Sequence, residues 1–301
     1  MKKTLLFSFL LISIASFANE IDLLNTGRDV QTFLRSHFPA FSDAQIALKD
    51  FLYPDALEQK VADSLDVKLW QKADFDGNGK TDLLVYMNTG GKNYLTVIMD
   101  NGKSFRVIFL SRYPFAEVFF PVIKKLGSTP LLILYKTCSY CHGPFEGITG
   151  TDSLIFPTEP FSNNFGNFVE PANAQHHYKI EKIEAATAPC TGTCPVFSMS
   201  IEANRKAGYH AIKYNDTTGN FTAVIDTMNY KKITSLLNYI NFPQKKDNYN
   251  VTWTDDQAIT LTITYDGGKV KKIYDYGERG SYGLNLLYSL IYQLRTNQEW
   301  R

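Results

Sequence analysis

The stretch Cys190-Thr191-Gly192-Thr193-Cys194-Pro195 sets two thiols with three residues between them, the middle one a glycine, and a proline directly after. Gly and Pro punctuate the backbone at a tight turn. An alternating run follows at once. Val196, Ser198 and Ser200 fall on one face, and Phe197, Met199 and Ile201 on the other, which is the period of a half-buried strand. A turn feeding a strand identifies a kind of domain and names no reaction.

Downstream, strand patterns recur at Gly208 to Tyr214 and Phe221 to Asp226. Asp226 or Thr227 then caps a helix whose apolar face is Ile233, Leu236, Leu237 and Ile240. Ile259 to Tyr265 and Lys269 to Tyr276 flank Asp266-Gly267-Gly268, a hairpin by composition. Ser281 caps a last helix that carries Leu284, Leu287, Tyr288, Ile291 and Leu294 on one side. Upstream, Tyr178 to Glu184 alternates charged and apolar residues. The order ββββαββα over 178–301 predicts a mainly antiparallel sheet covered on one face by two amphipathic helices.

Residues from about 178 to 301 resemble the uncharacterised bacterial family called domain of unknown function 6438. Three features carry the resemblance: the Cys190 to Pro195 turn after an Ile/Glu-rich strand, the helix followed by a hairpin, and a C-terminal helix ending at Trp300. The resemblance implies fold kinship and a setting on exported proteins. It implies no catalytic residues.

Further out, residues 157–177 are rich in Pro, Asn, Gly and Phe without periodicity, and read as a linker. Residues 19–156 then form a first domain, a short helical lead followed by an antiparallel meander. Its helices are expected around Val30 to Phe38, over Asp43 to Phe51 and over Asp55 to Leu65. Its strands are expected at Val67 to Trp70, Asp82 to Met87, Tyr94 to Met99, Phe105 to Leu110 and Pro130 to Tyr135. The fold class is α+β in two domains, each a mainly antiparallel sheet with a few helices.

Lys2 and Lys3 precede an apolar run from Leu5 to Ile14, and Ser16-Phe17-Ala18 puts small residues before a cut. Residues 1–18 read as a signal peptide cleaved after Ala18, with a periplasmic or extracellular destination. No later segment of the mature chain is apolar enough to span a membrane. Thirty-one basic residues against 30 acidic ones give a formal charge of +1, so no basic field recruits nucleic acid. Four cysteines in an exported chain favour disulfides. Of three connectivities, the local pairs Cys138–Cys141 and Cys190–Cys194 are favoured because each partner is already close. A local bridge contributes roughly 2 kcal/mol in the chain-entropy account, against about 4 kcal/mol for one across a long loop.

Asp74-Phe75-Asp76-Gly77-Asn78-Gly79-Lys80-Thr81-Asp82 places oxygen donors at relative positions 1, 3, 5 and 9, with Gly at 6. Asp74, Asp76, Asn78, Asp82 and the carbonyl of Lys80 make a candidate calcium loop, because a hard cation takes several oxygens from one tight turn. Val85 stands where an EF-hand carries its bidentate Glu, so the loop is closer to the calcium hairpins of integrin-type surface repeats. The plain reading is a polar turn of Asp, Asn and Gly.

Cys138-Ser-Tyr-Cys141-His142 fits the haem c attachment pattern, but its β-rich setting argues against that use. Four cysteines also make a zinc set, which an oxidising compartment disfavours. Cys190, Cys194 and Pro195 with His210 match a copper-chaperone CxxxCP only in part, since a strand and not a helix follows. His176 and His177 read as solvated linker residues, and Asp275, Glu278 and Arg279, near a Gly-rich corner, as charged residues solvated at a turn. Hydrolase, metalloprotease and nucleotide-loop signatures are absent. The expectation is an exported, non-catalytic binding or envelope-associated module, its partner another protein or a cell-surface component. The rival is a thiol-based redox, metal or haem protein.

Overall fold

Capping chemistry and alternation lay down the elements, and their apolar faces assemble them into three sheets. The computed structural model describes residues 19–112, 117–126, 129–138, 158–170, 172, 174–251 and 253–301. A 3-10 turn at Glu20–Leu23 and helix α1 (Gly27–His37) open the chain, each started by a capping box. Asn19 pairs with Asp22 and Thr26 with Asp29, so N–H groups without an intrahelical partner are satisfied by side chains. Then follow β1 (Gln45–Ile46), α2 (Lys49–Leu52), α3 (Ala56–Ser64), β2 (Trp70–Ala73), β3 (Asp82–Thr89), β4 (Lys92–Asp100) and β5 (Phe105–Phe109). The helix expected over 43–51 is replaced by β1 and the single turn α2. Gln45 and Ile46 pair with Asn88 and Met87 of β3, a long-range gain that local periodicity does not report. The strand expected at 67–70 begins only at Trp70.

The first sheet runs β1-β3-β4-β5, with β2 also paired to β3. Its centre is buried on both faces. Leu83, Val85, Met87 and Ile98 share a core with Val30, Phe33 and Leu34 of α1. Leu84, Tyr86, Leu95, Val97 and Met99 join a second core with Phe119, Phe120, Leu132 and Leu134. These last come from a second sheet, β6 (Glu117–Leu126), β7 (Thr129–Cys138), β8 (Thr158–Asn164) and β9 (Asn167–Val169), paired in that order. Sequence reading passes over β6, where Pro121 interrupts the pattern. It is an edge strand, where a missing N–H is tolerated. The stretch 157–177, expected as a linker, carries β8 and β9. Phe161 of β8 pairs with Leu132 of β7, and Phe168 and Val169 of β9 are buried.

The third sheet holds β10 (Ile180–Thr187), β11 (Val196–Glu202), β12 (Lys206–Lys213), β13 (Gly219–Val224), β14 (Asn248–Asn250), β15 (Ala258–Tyr265) and β16 (Lys269–Tyr276). Its order is β13-β12-β11-β10-β15-β16-β14, antiparallel except for the β14 and β16 pair. Helices α4 (Thr227–Tyr239) and α5 (Tyr282–Asn297) share one core with its inward residues, among them Ile183, Phe197, Leu261 and Ile273. Asp226 caps α4 and Ser281 caps α5, as the sequence reading has it. The opposite face carries Ser198, Ser200, His210, Thr222, Thr260 and Thr262, small and polar, in two shallow grooves of about 620 and 590 Å³. The architecture is α+β.

The two halves meet at the start of α5. Glu170 accepts the N–H groups of Tyr282 at 2.8 Å and Gly283 at 3.0 Å. Tyr282 is 7% exposed, lies in the first half's core and donates its hydroxyl to the Leu110 carbonyl at 2.7 Å. The Arg112 guanidinium stands 4.2 Å over the Tyr282 ring. Arg112 and Arg279 each donate to the other's main-chain carbonyl.

Candidate functional site

The turn between β2 and β3 gathers three carboxylates. Ligand atoms of Asp74, Asp76 and Asp82 all lie within 4.8 Å of one another. Gly77 at φ +72° and Gly79 at φ +78° let the chain curl as side chains with a Cβ rarely do. Asp74 closes the curl by accepting from the N–H groups of Gly77 at 2.8 Å, Asn78 at 3.2 Å and Gly79 at 2.9 Å. Asp82 is 0% exposed at the foot of β3 and accepts from Phe75 N–H and Asp100 N–H, each at 2.8 Å. Burial, with Asp76 and Asp74 close by, pushes its carboxyl up to about 7 against the pull of those two hydrogen bonds. Burial also raises the Asp76 carboxyl, with Asp74 adding to it.

The other two residues of the loop stand differently. Asn78 spends its amide on the Asp100 carbonyl at 2.9 Å and on Asp76 at 3.2 Å, and its oxygen accepts from Lys80 N–H at 2.7 Å. Both therefore shape the loop, while the three carboxylates converge. An all-oxygen donor set around a buried carboxylate held far above its ordinary range fits a hard divalent cation, whose charge favours the ionised form.

The second expected feature is the Cys190 to Pro195 turn. Cys190 and Cys194 are joined by a disulfide across a sequence separation of 4, with their Cα atoms 5.8 Å apart. Gln257 of the β14 to β15 loop donates to both flanks of the turn, the Ala188 carbonyl at 2.9 Å and the Pro195 carbonyl at 2.8 Å. Its oxygen lies 2.9 Å from the Tyr292 hydroxyl of α5, which donates its one proton to Glu278 at 2.5 Å. Cys138 is the last residue of β7, and Cys141 and His142 lie outside the described residues, so the second local bridge, the haem pattern and the zinc set do too. His210 stands on the open face, opposite Ser198 and Asn220. His176 stacks on Tyr178 with ring centres 5.7 Å apart.

The Gly-rich corner corrects a sequence expectation. Asp275 is 0% exposed and accepts from Arg279 N–H at 3.0 Å and Gly280 N–H at 2.8 Å. Burial raises the carboxyls of Asp275 and Glu278 alike. Their chain neighbours suggest a solvated turn, but α5 and β14 fold over it. Glu170, Gln257 and Tyr292 carry no sequence signal at all, because their partners lie 112, 69 and 35 residues away.

Residues 181–295 match a family described as a domain of unknown function (DUF6438). The cysteine pair, α4 and α5 up to Arg295 fall inside that match. None of the curated proteins matches the chain. Among the described residues no helix is long and apolar enough to cross a membrane.

Proposed function

We propose that the protein is an exported, non-catalytic binding module that carries a structural calcium ion in its first half. The convergence of Asp74, Asp76 and Asp82, with Asp82 fully buried, is the observation that carries this reading. Burial raises Asp82 and the repulsion of Asp76 and Asp74 adds to it, and a bound dication offsets both. The carboxylates of Asp74, Asp76 and Asp82 hold the ion, while Asn78 and Lys80 shape the loop around it. Bound calcium supplies fixed charge that ties β2, β3 and the end of β4 together; it supplies no reaction.

Two supports point to the same compartment. Extracellular calcium modules work at roughly 10⁻⁴ to 10⁻³ M affinity, which suits a loop of three carboxylates without a bidentate Glu. A disulfide between Cys190 and Cys194 belongs to oxidising surroundings. The signal segment 1–18, cut after Ala18, delivers the chain there, and its residues lie outside those described. The partner, a protein or cell-surface component, docks on the open, hydroxyl-rich face of the third sheet.

Calorimetric titration of the EDTA-treated mature chain with calcium tests the site. One calcium per chain and a melting temperature that falls on chelation are expected. Absence of binding at millimolar calcium overturns the reading. Export is checked by fractionating cells and sequencing the N-terminus of the mature chain, which is expected to begin at Asn19.

A further inference from the structure

The Cys190–Cys194 bridge adds little to a turn that is already held. Ala188 N–H donates to the Ala258 carbonyl at 2.8 Å, and Thr191 N–H to the Asp255 carbonyl at 3.3 Å. The Thr191 hydroxyl donates to Asp255 Oδ1 at 2.7 Å. On the exit side, the Thr187 hydroxyl bonds the Pro195 carbonyl at 2.9 Å and accepts Phe197 N–H at 3.0 Å. Gln257 spans both flanks. None of these bonds needs the sulfur bridge. A loop this short yields only about 2 kcal/mol of denatured-state restriction even in the chain-entropy account.

The bridge is also reachable and asymmetric. Thr191, Gly192 and Thr193 are exposed, and both cysteines are half-buried. The Gly192 N–H donates to Cys190 Sγ at 3.1 Å, and the described hydrogen bonds include no such donor on Cys194. An N–H aimed at a sulfur favours its thiolate, and a thiol of lower pKa leaves faster in exchange. The nearby Asp255 carboxylate opposes this, but the Thr191 hydroxyl takes one of its oxygens.

We infer that Cys190–Cys194 is a thiol–disulfide exchange site, reducible in the folded protein by an external dithiol, with Cys190 as the leaving sulfur. A thiolate of the donor attacks Cys194 Sγ and forms a mixed disulfide. The Cys190–Cys194 bond breaks, and its electron pair departs on Cys190 Sγ, which then takes a proton from water. The donor's second thiol gives its proton to water and attacks the mixed disulfide, releasing Cys194 as a thiolate that takes a proton in its turn. Two electrons pass from the donor, which ends as a disulfide, to the pair, which ends as two thiols. This inference stands apart from the calcium loop, which lies in another sheet.

The oxidised mature chain is treated with millimolar dithiothreitol without denaturant, alkylated, and its thiols assigned by peptide mapping so that Cys138 and Cys141 are counted separately. Cys190 and Cys194 are expected to be fully alkylated while the circular dichroism is unchanged, and to re-form the bridge with oxidised glutathione. Alkylation of Cys190 in the Cys194→Ser variant is expected to run about tenfold faster at pH 7 than that of Cys194 in Cys190→Ser, with a thiol pKa below about 8.5. Reduction that requires denaturant, or that unfolds the chain, overturns the proposal. So do equal alkylation rates. The double variant Cys190→Ser/Cys194→Ser separates the readings further: a retained fold supports an exchange site, and an unfolded chain establishes a structural staple.

Discussion

Asp82 and Asp226 do the same local job in the two halves and end at opposite charge preferences. Each accepts two backbone N–H groups, Asp82 from Phe75 and Asp100, and Asp226 from Met228 and Asn229. The Asp82 carboxyl is driven up to about 7, first by burial and then by Asp76 and Asp74. The Asp226 carboxyl is drawn down to about 2, first by the Asn229 N–H and then by the Gln298 side chain, with little burial to oppose them. Hydrogen bonds alone settle a carboxylate at a helix start open to water. Where the carboxylate is buried, with like charges beside it, they are outweighed.

Replacing Asp82 with Ala is the hardest blow to that contrast. It strands the N–H groups of Phe75 and Asp100, both in buried residues, and is expected to cost about 3 kcal/mol or more in denaturant unfolding, with calcium or without. A loss below about 1 kcal/mol removes Asp82 as the anchor of the loop. Next in size is the effect of the cation. At a hundredfold excess over its dissociation constant, calcium is expected to stabilise the wild-type chain by about 2.7 kcal/mol. Asp76→Asn removes one converging carboxylate and leaves the N–H acceptors Asp74 and Asp82 in place. In EDTA the variant is expected within about 0.5 kcal/mol of wild type, and in calcium to forfeit most of the gain. Equal calcium gains in the two proteins mean that the cluster binds no ion.

The sequence shows these two carboxylates unequally. Asp226 stands directly before an apolar helical stripe, so capping chemistry names it without any tertiary information. Asp82 sits in a loop motif whose spacing suggests a cation, yet its burial depends on Asp100, 18 residues further on. The same division runs through the fold. In the third sheet β11, β15 and β16 were legible to within a residue, while β10 runs three residues past its expected end and the short β14, held by its parallel pairing with β16, was passed over. Strands β6 and β8 were not legible, because Pro121 and Pro160 sit inside them and pairing with β7, and for β8 also with β9, holds them extended. Helix periodicity likewise misled over 43–51, where β3 recruits Gln45 and Ile46. The Gly-rich corner looked solvated because nothing local announces that α5 and β14 close over Asp275.

Asp226 supplies the gentlest and most selective test. Its folded pKa lies below the ordinary value of 3.8, so its contribution is fully present above about pH 4 and fades as pH falls toward 2. Asp226→Ala removes acceptors for Met228, Asn229 and Gln298, and is expected to cost about 1 kcal/mol at neutral pH, as N-cap truncations do. The deficit should shrink between pH 4 and pH 2, where the wild-type carboxylate itself becomes protonated, and calcium should not change it. Asn at the same position keeps an oxygen acceptor and should recover most of the loss without the acid dependence. A deficit that stays constant down to pH 2 would mean that the Asp226 charge contributes nothing, and the contrast with Asp82 would then rest on burial alone.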